Sequence, residues 1–502
     1  MKEILLVAIN SRYTHTAIGL RYLYANLKEL QDKAKILEFV IGEQVQTLAE
    51  KILLHKPKII GIGTYIWNVE DVRDLIEVIK KVSPETKIIL GGPEASHQPF
   101  RVNFDKADFI IQGEGEISFY ELCRDLLDGK ESETKIIKAK MPELKALELP
   151  YKYYNDLDVK HRYMYVEASR GCPFECEFCL SAIDEKVRQF DMDTLLEEFE
   201  FLWQKGARNF KFIDRTFNIN IKYANLLMDF FLKKDEQYSL HFEVIPDHFP
   251  EALKERIIQF PPTTLQLEIG IQTLNPEILD NINRRMNLNK VKRNITFLEN
   301  ETNAHLHVDL IVGLPGESQE SFAKNLNRLK SMTNSEIQIG ILKKLSGTTL
   351  HRHDIKYGMV YSDKPPYDIL KNDHLSFEMI QKMKRFARFW DLAYNSGNFK
   401  NTVEHIFGDD VFAGFYDFSE WIYTQTESTW QISLNRLSEL VFNYLTEYKK
   451  FDKAMIADSV LSDIIKVNGR KIPECIREHL THIPDLRRSK LTKHNKRQVL
   501  RT

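Results

Sequence analysis

SRGCPFECEFC, residues 169–179, carries Cys172, Cys176 and Cys179 in a C-x3-C-x2-C spacing. Cys123 and Cys475 complete the chain's five cysteines. Three thiols on one short loop are a metal-site arrangement. A cubane [4Fe–4S] cluster ordinarily takes four thiolates, so three would leave one iron open to another ligand. Structural zinc sites draw paired ligands from two separate knuckles, and no second knuckle is present in the sequence. Cysteine is too scarce elsewhere for a disulfide scaffold.

The loop directly follows a strand candidate, YMYVEAS (163–169). Further candidates are NFKFID (209–214), LHFEVI (240–245), TLQLEIGIQ (264–272), HLHVDLIVG (305–313) and IQIGILKKL (337–345). Helical runs such as 191–205 and 221–234 separate them, giving six βα units. Barrel active sites lie at the carboxyl ends of strands, which is where the cysteines fall. Upstream, the first 130 residues repeat the rhythm. Apolar runs at 2–9, 35–40, 58–64, 87–90 and 107–111 alternate with helices at Leu20–Leu30, Val69–Val82 and Ile117–Leu127. That alternation predicts a parallel sheet covered on both faces. Five strands fit the flavodoxin-like order, with a ligand crevice at the carboxyl strand ends. Small and polar residues occupy those ends: Asn10-Ser11-Arg12, Thr64-Tyr65, Gly91-Gly92 and Gly113-Glu114-Gly115-Glu116. Plain turn chemistry explains any one of these glycines equally well.

The cysteine spacing, with Phe178 just before the last cysteine, resembles the radical S-adenosylmethionine (SAM) superfamily. The resemblance implies a [4Fe–4S] cluster on Cys172, Cys176 and Cys179, with SAM chelating the open iron. Reductive cleavage of SAM then yields a 5′-deoxyadenosyl radical that abstracts hydrogen. The N-terminal segments, T-A-I-G-L-R-Y-L (16–23), IGTYIWN (62–68), GGPEAS (91–96) and QGEGE (112–116), resemble the cobalamin-binding domain in front of many such barrels. The resemblance implies cobalamin contacts from Tyr13, Thr14, His15, Thr64, Tyr65, Gly91, Gly92, Glu94, Gly113, Glu114, Gly115 and Glu116. The chain departs from the histidine-ligating cobalamin domains by lacking D-x-H-x-x-G, since no aspartate stands two residues before His15. His15 therefore reads as a hydrogen-bonding loop residue, and cobalamin binding without a histidine ligand is expected.

The barrel motifs carry further SAM expectations. Asp214, in FKFIDRTFN, either accepts hydrogen bonds from the SAM amino group or caps the next helix. Glu268 and Gln272, in LEIGIQT, share a strand face with Gly270. A ribose diol suits that carboxylate, and pairing to Arg284 or Arg285 is the alternative. Gly313 and Gly316, in VDLIVGLPGES, resemble the adenine-cradling turn, with Asp309 toward the substrate. Arg188 suits the methionine carboxylate of SAM or lies exposed at a helix start.

These readings divide 502 residues into a cobalamin-binding-like domain (1–130), a linker with a short extended segment (131–160), a partial (β/α)6 radical SAM barrel (161–362) and a helical C-terminal domain (363–502). Charged residues make up 28% of the chain and the net charge is −2, so no general attraction to nucleic acid or membrane is expected. Arg487–Thr502 holds seven lysines or arginines and no acid, which reads as a solvated terminus, with an arm for nucleic acid or an acidic partner as the alternative. MKEILLVAIN lacks the length of a signal peptide. A reduced, cytoplasmic setting with a small electron donor such as flavodoxin or ferredoxin suits an exposed cluster. The expected function is cobalamin-dependent methyl transfer to an unactivated carbon. A non-methylating radical rearrangement, cyclisation or oxidation, and a cofactor-binding sensor without turnover, stand as alternatives.

Overall fold

The computed structural model describes residues 2–482, apart from residues 131, 133, 468 and 469. The basic terminus from Arg487 lies outside the described residues. Chain contacts divide the protein into two compact units. The first holds residues 1–243, 343–351 and 361–368, and the second the intervening segments and the chain from 369 onward.

In the first unit, β1 (Ile4–Asn10), β2 (Ala34–Val40), β3 (Ile59–Gly63), β4 (Lys87–Gly91) and β5 (Phe109–Gln112) form a parallel sheet. Its order is β2-β1-β3-β4-β5-β6. Every residue of β1 is buried, as a central parallel strand covered on both faces requires. Separate apolar clusters fill the two faces, one around Leu5, Ile60 and Leu90, the other around Leu6, Ile89 and Phe119. The sixth strand, β6 (Ile136–Lys138), pairs with β5 and comes from the segment expected to be a linker. That segment is packed rather than loose: Tyr151 and Tyr154 are fully buried. The helix expected at 20–30 is split into Ile18–Ala25 and a 3-10 turn at Lys28–Lys33.

The barrel begins in the same unit with β7 (Met164–Val166). A two-residue antiparallel ribbon follows, β8 (Ser169–Arg170) against β9 (Arg188–Gln189). Then β10 (Asn209–Phe212) lies parallel between β7 and β11 (Ser239–Val244). The second unit carries β12 (Leu265–Gln272), β13 (His305–Val312) and β14 (Glu336–Ile341), again parallel. Each unit thus carries three parallel strands of the expected six βα units. Four longer helices and the short Thr402–Phe407 follow among the described residues, from Phe377–Trp390 to Lys453–Ile464, around a core of Phe386, Trp390, Phe407 and Phe415. They cover β14 by specific bonds: Trp390 Nε1 donates to Ile337 O (2.9 Å), and Asn395 bonds both backbone groups of Ile337 (3.0 Å each). The fold is α/β, with a flavodoxin-like N-terminal sheet, a partial barrel and a helical C-terminal region.

A buried cluster of four charges fastens β7 to the N-terminal sheet within the first unit. Arg21 donates to Glu38 (3.1 Å) and Asp158 (2.8 Å). Arg162 pairs with Asp158 (2.9 Å) and Glu38. Burial works against ionising Glu38, but the guanidiniums of Arg21 and Arg162 prevail and lower its pKa to about 2. The ionised carboxylate therefore stabilises the fold above its ordinary value of 4.5, and that stabilisation is lost as pH falls toward about 2. Arg21→Met should lower the unfolding free energy by about 3–5 kcal/mol at pH 7, because it strands buried carboxylates. Urea titrations between pH 7 and 2 check this. The wild type should lose stability below about pH 4.5, and Glu38→Gln should lack that component.

Candidate functional site

The cysteine loop, residues 171–187, leaves β8 and returns on β9. Gly171 turns out of the ribbon at φ +91°, and a side chain there would collide with the carbonyl of Lys186. Cys172 N–H donates to Asp184 O (2.9 Å), and Cys179 N–H to Cys176 O (3.0 Å). Cys172 and Cys176 are buried, while Cys179 and Phe178 are partly exposed. Among the described residues no three His, Cys, Asp or Glu side chains gather around a point where one metal ion would sit. A cubane makes no such demand, since each thiolate binds a different iron and the sulfurs stay apart. Three thiols on one short loop closed at its base fit a cluster. Cys123 lies apart from them in the sheet core, and burial raises its thiol pKa, as it does that of Cys475 in the second unit.

Asp214 holds the strand that enters this loop. Its carboxylate accepts Ala168 N–H (2.9 Å) and Ser169 Oγ–H (2.6 Å). Burial raises its pKa to about 7 against those two bonds. The helix that follows is capped by Asn220, not by Asp214. The helix-cap expectation gives way to contacts that tie β10 to the base of the cysteine loop.

Arg188 stands on β9 and is half-buried, so it is not an exposed arginine at a helix start. It pairs with Glu114 and with Asp184 (3.0 Å), so its guanidinium already has carboxylate partners. Arg170, across the ribbon from Arg188, pairs with Glu114 (2.7 Å), Glu116 (2.8 Å) and Glu167 (2.9 Å). Burial opposes ionisation of Glu114, but Arg188 and Arg170 leave its pKa below the ordinary value. The acids of the QGEGE segment thus reach the cysteine loop. The two arginine partners of Glu114 lie 56 and 74 residues away, a separation at which no local pattern reports a contact.

Two cavities open at the carboxyl ends of the N-terminal strands. One, of about 330 Å³, is mostly apolar and lined by Gly19, Gly63, Gly91, Gly113, Gly115 and Tyr65, among others. The other, of about 560 Å³, is lined from both sides. Asn10, His15, Tyr65 and Trp67 come from the sheet, and Tyr165, Ser169, Gly171, Ser181 and Arg215 from the barrel strands and cysteine loop. Glu114, Glu167 and Arg170 are walls of both cavities. Tyr65 stacks flat on Trp67 (4.5 Å between centroids, 5° between planes). The glycine-lined apolar wall beside two stacked aromatics fits a large flat ring system.

Other expected crevice residues have structural tasks. Thr64 N–H and Oγ–H both donate to Gly91 O (2.8 and 2.6 Å). Gly92, at φ +94°, lies so close that a Cβ would come within 2.6 Å of Thr64 O. Glu94 accepts from the Tyr367 hydroxyl (2.9 Å), burial raises its pKa, and it lines neither cavity. His15 Nδ1 hydrogen-bonds the Tyr165 hydroxyl and its ring stacks on that side chain. Burial and the nearby Lys211, Arg12 and Arg162 lower its pKa, favouring the neutral ring. The carbonyls of Tyr13 and Thr14 accept from Arg162 Nε (2.7 Å) and Tyr163 N–H (2.9 Å), and the Tyr13 ring is exposed. Trp67, Tyr165 and Arg170 were not anticipated. Trp67 lies inside the IGTYIWN segment and Arg170 immediately before Gly171-Cys172, while Tyr165 carried no such hint.

In the second unit, β12 alternates buried and half-buried residues, placing Glu268, Gly270 and Gln272 on one face. His307 and Asp309 lie in register beside Glu268 and Gly270. Gln272 sits at a bulge with φ +71°, and its Oε1 is buried without a hydrogen-bond partner among the described residues. Arg284 donates to Gly270 O. Gly313 and Gly316 both have positive φ, and side chains there would press on Ile369 and Asn281. Their turn is braced by Glu317, whose carboxylate accepts from Thr273 (2.9 Å) and Asn325 (2.7 Å) and whose pKa burial raises to about 8.

Three family models match the chain: B12 binding domain over residues 4–123, Radical SAM superfamily over 166–329, and Protein of unknown function (DUF4080) over 355–501. An uncharacterized methyltransferase of Pyrococcus horikoshii is 24% identical, aligning 74% of this chain with 87% of its own. The cobalamin-dependent radical SAM methyltransferase TokK of Streptomyces tokunonensis is 23% identical over 68% of this chain, which spans 56% of that protein. Among solved structures, the cobalamin-dependent S-adenosylmethionine radical enzyme OxsB superposes with a TM-score of 0.63 at 12% identity, covering 95% of this chain and 82% of that one. The methyltransferase TsrM of Kitasatospora setae gives 0.57 at 15%, covering 73% and 78%. At such identities these superpositions establish the fold. The cofactors of the matched domains are a [4Fe–4S] cluster, SAM and cobalamin. With family matches along most of its length, the chain is a B12-binding-domain radical SAM enzyme that ends in a DUF4080 domain.

Proposed function

We propose that the protein transfers a methyl group to an unactivated carbon of a small substrate held in the 560 Å³ cavity. One observation carries this reading: side chains from the carboxyl ends of the N-terminal strands and from the cysteine loop line the same space. Methyl transfer needs a substrate within reach of both cofactors, and a cavity walled by both elements supports that arrangement. The methyltransferase relatives support it independently.

Cys172, Cys176 and Cys179 would hold the cluster, and the glycine-lined crevice beside Tyr65 and Trp67 the corrinoid. When bound, these groups with SAM supply a hydrogen-abstracting species and a transferable methyl. The chain's own residues set the conditions. Apolar side chains line the crevice and exclude water, which would quench reactive species. Arg170, Glu114, Glu116 and Glu167 bring charge to the cavity wall as mutual ion pairs. Neutral His15, bonded to Tyr165, offers a polar contact for substrate rather than a metal ligand. Glu268 and Gln272 are proposed SAM contacts on the strength of their shared strand face. Radical SAM enzymes need a reductant, and a small flavodoxin or ferredoxin is the proposed donor. Among the described residues no helix is long and apolar enough to cross a membrane.

Alanine at Cys172, Cys176 and Cys179 together should abolish iron uptake on anaerobic reconstitution, with Cys123→Ala and Cys475→Ala unaffected. Iron analysis reads this, and retention of about four irons per chain in the triple variant rejects the assignment. Reduced enzyme given SAM, cobalamin and a metabolite extract should form 5′-deoxyadenosine and S-adenosylhomocysteine together. Label from methyl-deuterated SAM should enter an extract compound. Deoxyadenosine without homocysteine product or label would favour the non-methylating alternative, and no SAM cleavage would favour a sensor. The visible spectrum of bound cobalamin should survive His15→Ala, while Trp67→Ala should weaken uptake by about tenfold through lost stacking.

A further inference from the structure

We propose that Glu114 is a positioning residue that couples the N-terminal crevice to the cysteine loop. The inference rests on the cofactor placement proposed above and assigns a task that neither domain's chemistry supplies alone.

Residues 171–187 hang from a ribbon only two residues long, with Arg170 and Arg188 directly opposed. So short a ribbon is marginal by itself, and like charges facing each other across strands drive it apart. Glu114 answers both problems. Its Oε2 accepts from Arg170 Nη1 (2.7 Å) and Arg188 Nη1 (3.3 Å), while Oε1 pairs with Arg188 Nη2. Glu116 and Glu167 pair with Arg170, and Asp184 with Arg188. Among the described residues Glu114 is the one carboxylate bridging both arginines.

Glu114 belongs to the sheet, not to the loop it closes. It follows β5 and Gly113, which takes φ +98° and whose N–H donates to Ser96 Oγ (3.3 Å). The side chain reaches the arginines from a backbone fixed at the crevice. It is also a wall of both cavities. An occupant of the crevice that orders Glu114 therefore orders the ribbon and the cysteine loop with it.

Hydrogen exchange on the full-length chain tests this. In the apoprotein, Glu114→Gln should speed amide exchange in peptides covering 171–189 by about tenfold, the effect of losing charge-assisted bonds. Exchange in β1 and β3 should stay as in wild type. Added aquacobalamin should slow loop exchange in wild type but not in Glu114→Gln. After reconstitution, SAM affinity should fall about tenfold in Glu114→Gln and in Arg188→Gln, and no further in the double variant. Unchanged loop exchange in Glu114→Gln, or additive losses in the double variant, overturns the proposal. Should Glu114→Gln fail to fold, Arg188→Gln carries the same comparison from the loop side. A wild-type protein that takes up no corrinoid overturns the function reading and the coupling. Loaded wild type whose loop ignores the corrinoid overturns the coupling alone.

Discussion

The buried quartet of Arg21, Glu38, Asp158 and Arg162 is the constraint on which the rest of the first unit depends. Its charges come from the first helix, the second strand and the segment leading into β7. Two guanidiniums and two carboxylates balance, so each desolvated group keeps partners of opposite sign. Arg162 reaches further, donating to the carbonyls of Tyr13 and His15. That bond set holds the first strand–helix loop of the sheet against the first barrel strand. The two-sided cavity follows from this junction.

From the junction, constraint passes along the chain by polar ties rather than by apolar packing alone. Asp214 fixes Ala168 and Ser169, and the arginines at either side of the cysteine loop are held by acids. Ion pairs suit this place because they are half-buried: water screens them less than at the surface. They also fix direction, which apolar contacts do not. A loop carrying three reactive thiols gains a defined path without thiol packing having to supply it.

The elements easiest to read were those whose period and length agree. The runs KIIGIGT and TLQLEIGIQ became β3 and β12, and C-x3-C-x2-C marked the loop because cysteine is rare elsewhere. The shared face of Glu268, Gly270 and Gln272 followed from strand alternation. β6 was foreseen only as a short extended segment in a linker, because three residues, IIK, carry no period and sit among charges. The partners of Arg188 and Glu114 were missed for another reason. Residue type shows that a charge needs a counter-charge, but topology chooses which one. Thr64 shows the same limit. It reads as a polar crevice residue, yet both its donors turn to Gly91 and bind β3 to β4.

β6 also bears on where the N-terminal half can be cut. The B12 family match ends at residue 123, but β5 still has an open edge there that Ile136–Lys138 fills. A fragment stopping at that boundary presents the backbone N–H and C=O groups of an apolar strand, FIIQ, to solvent. Such an edge is a template for another chain. The fragment also lacks Asp158 and Arg162, leaving Arg21 and Glu38 with only each other as charged partners. The sheet and the entry to the barrel thus form one foldable piece, and corrinoid-binding fragments that keep the chain past Arg162 are those expected to remain monodisperse.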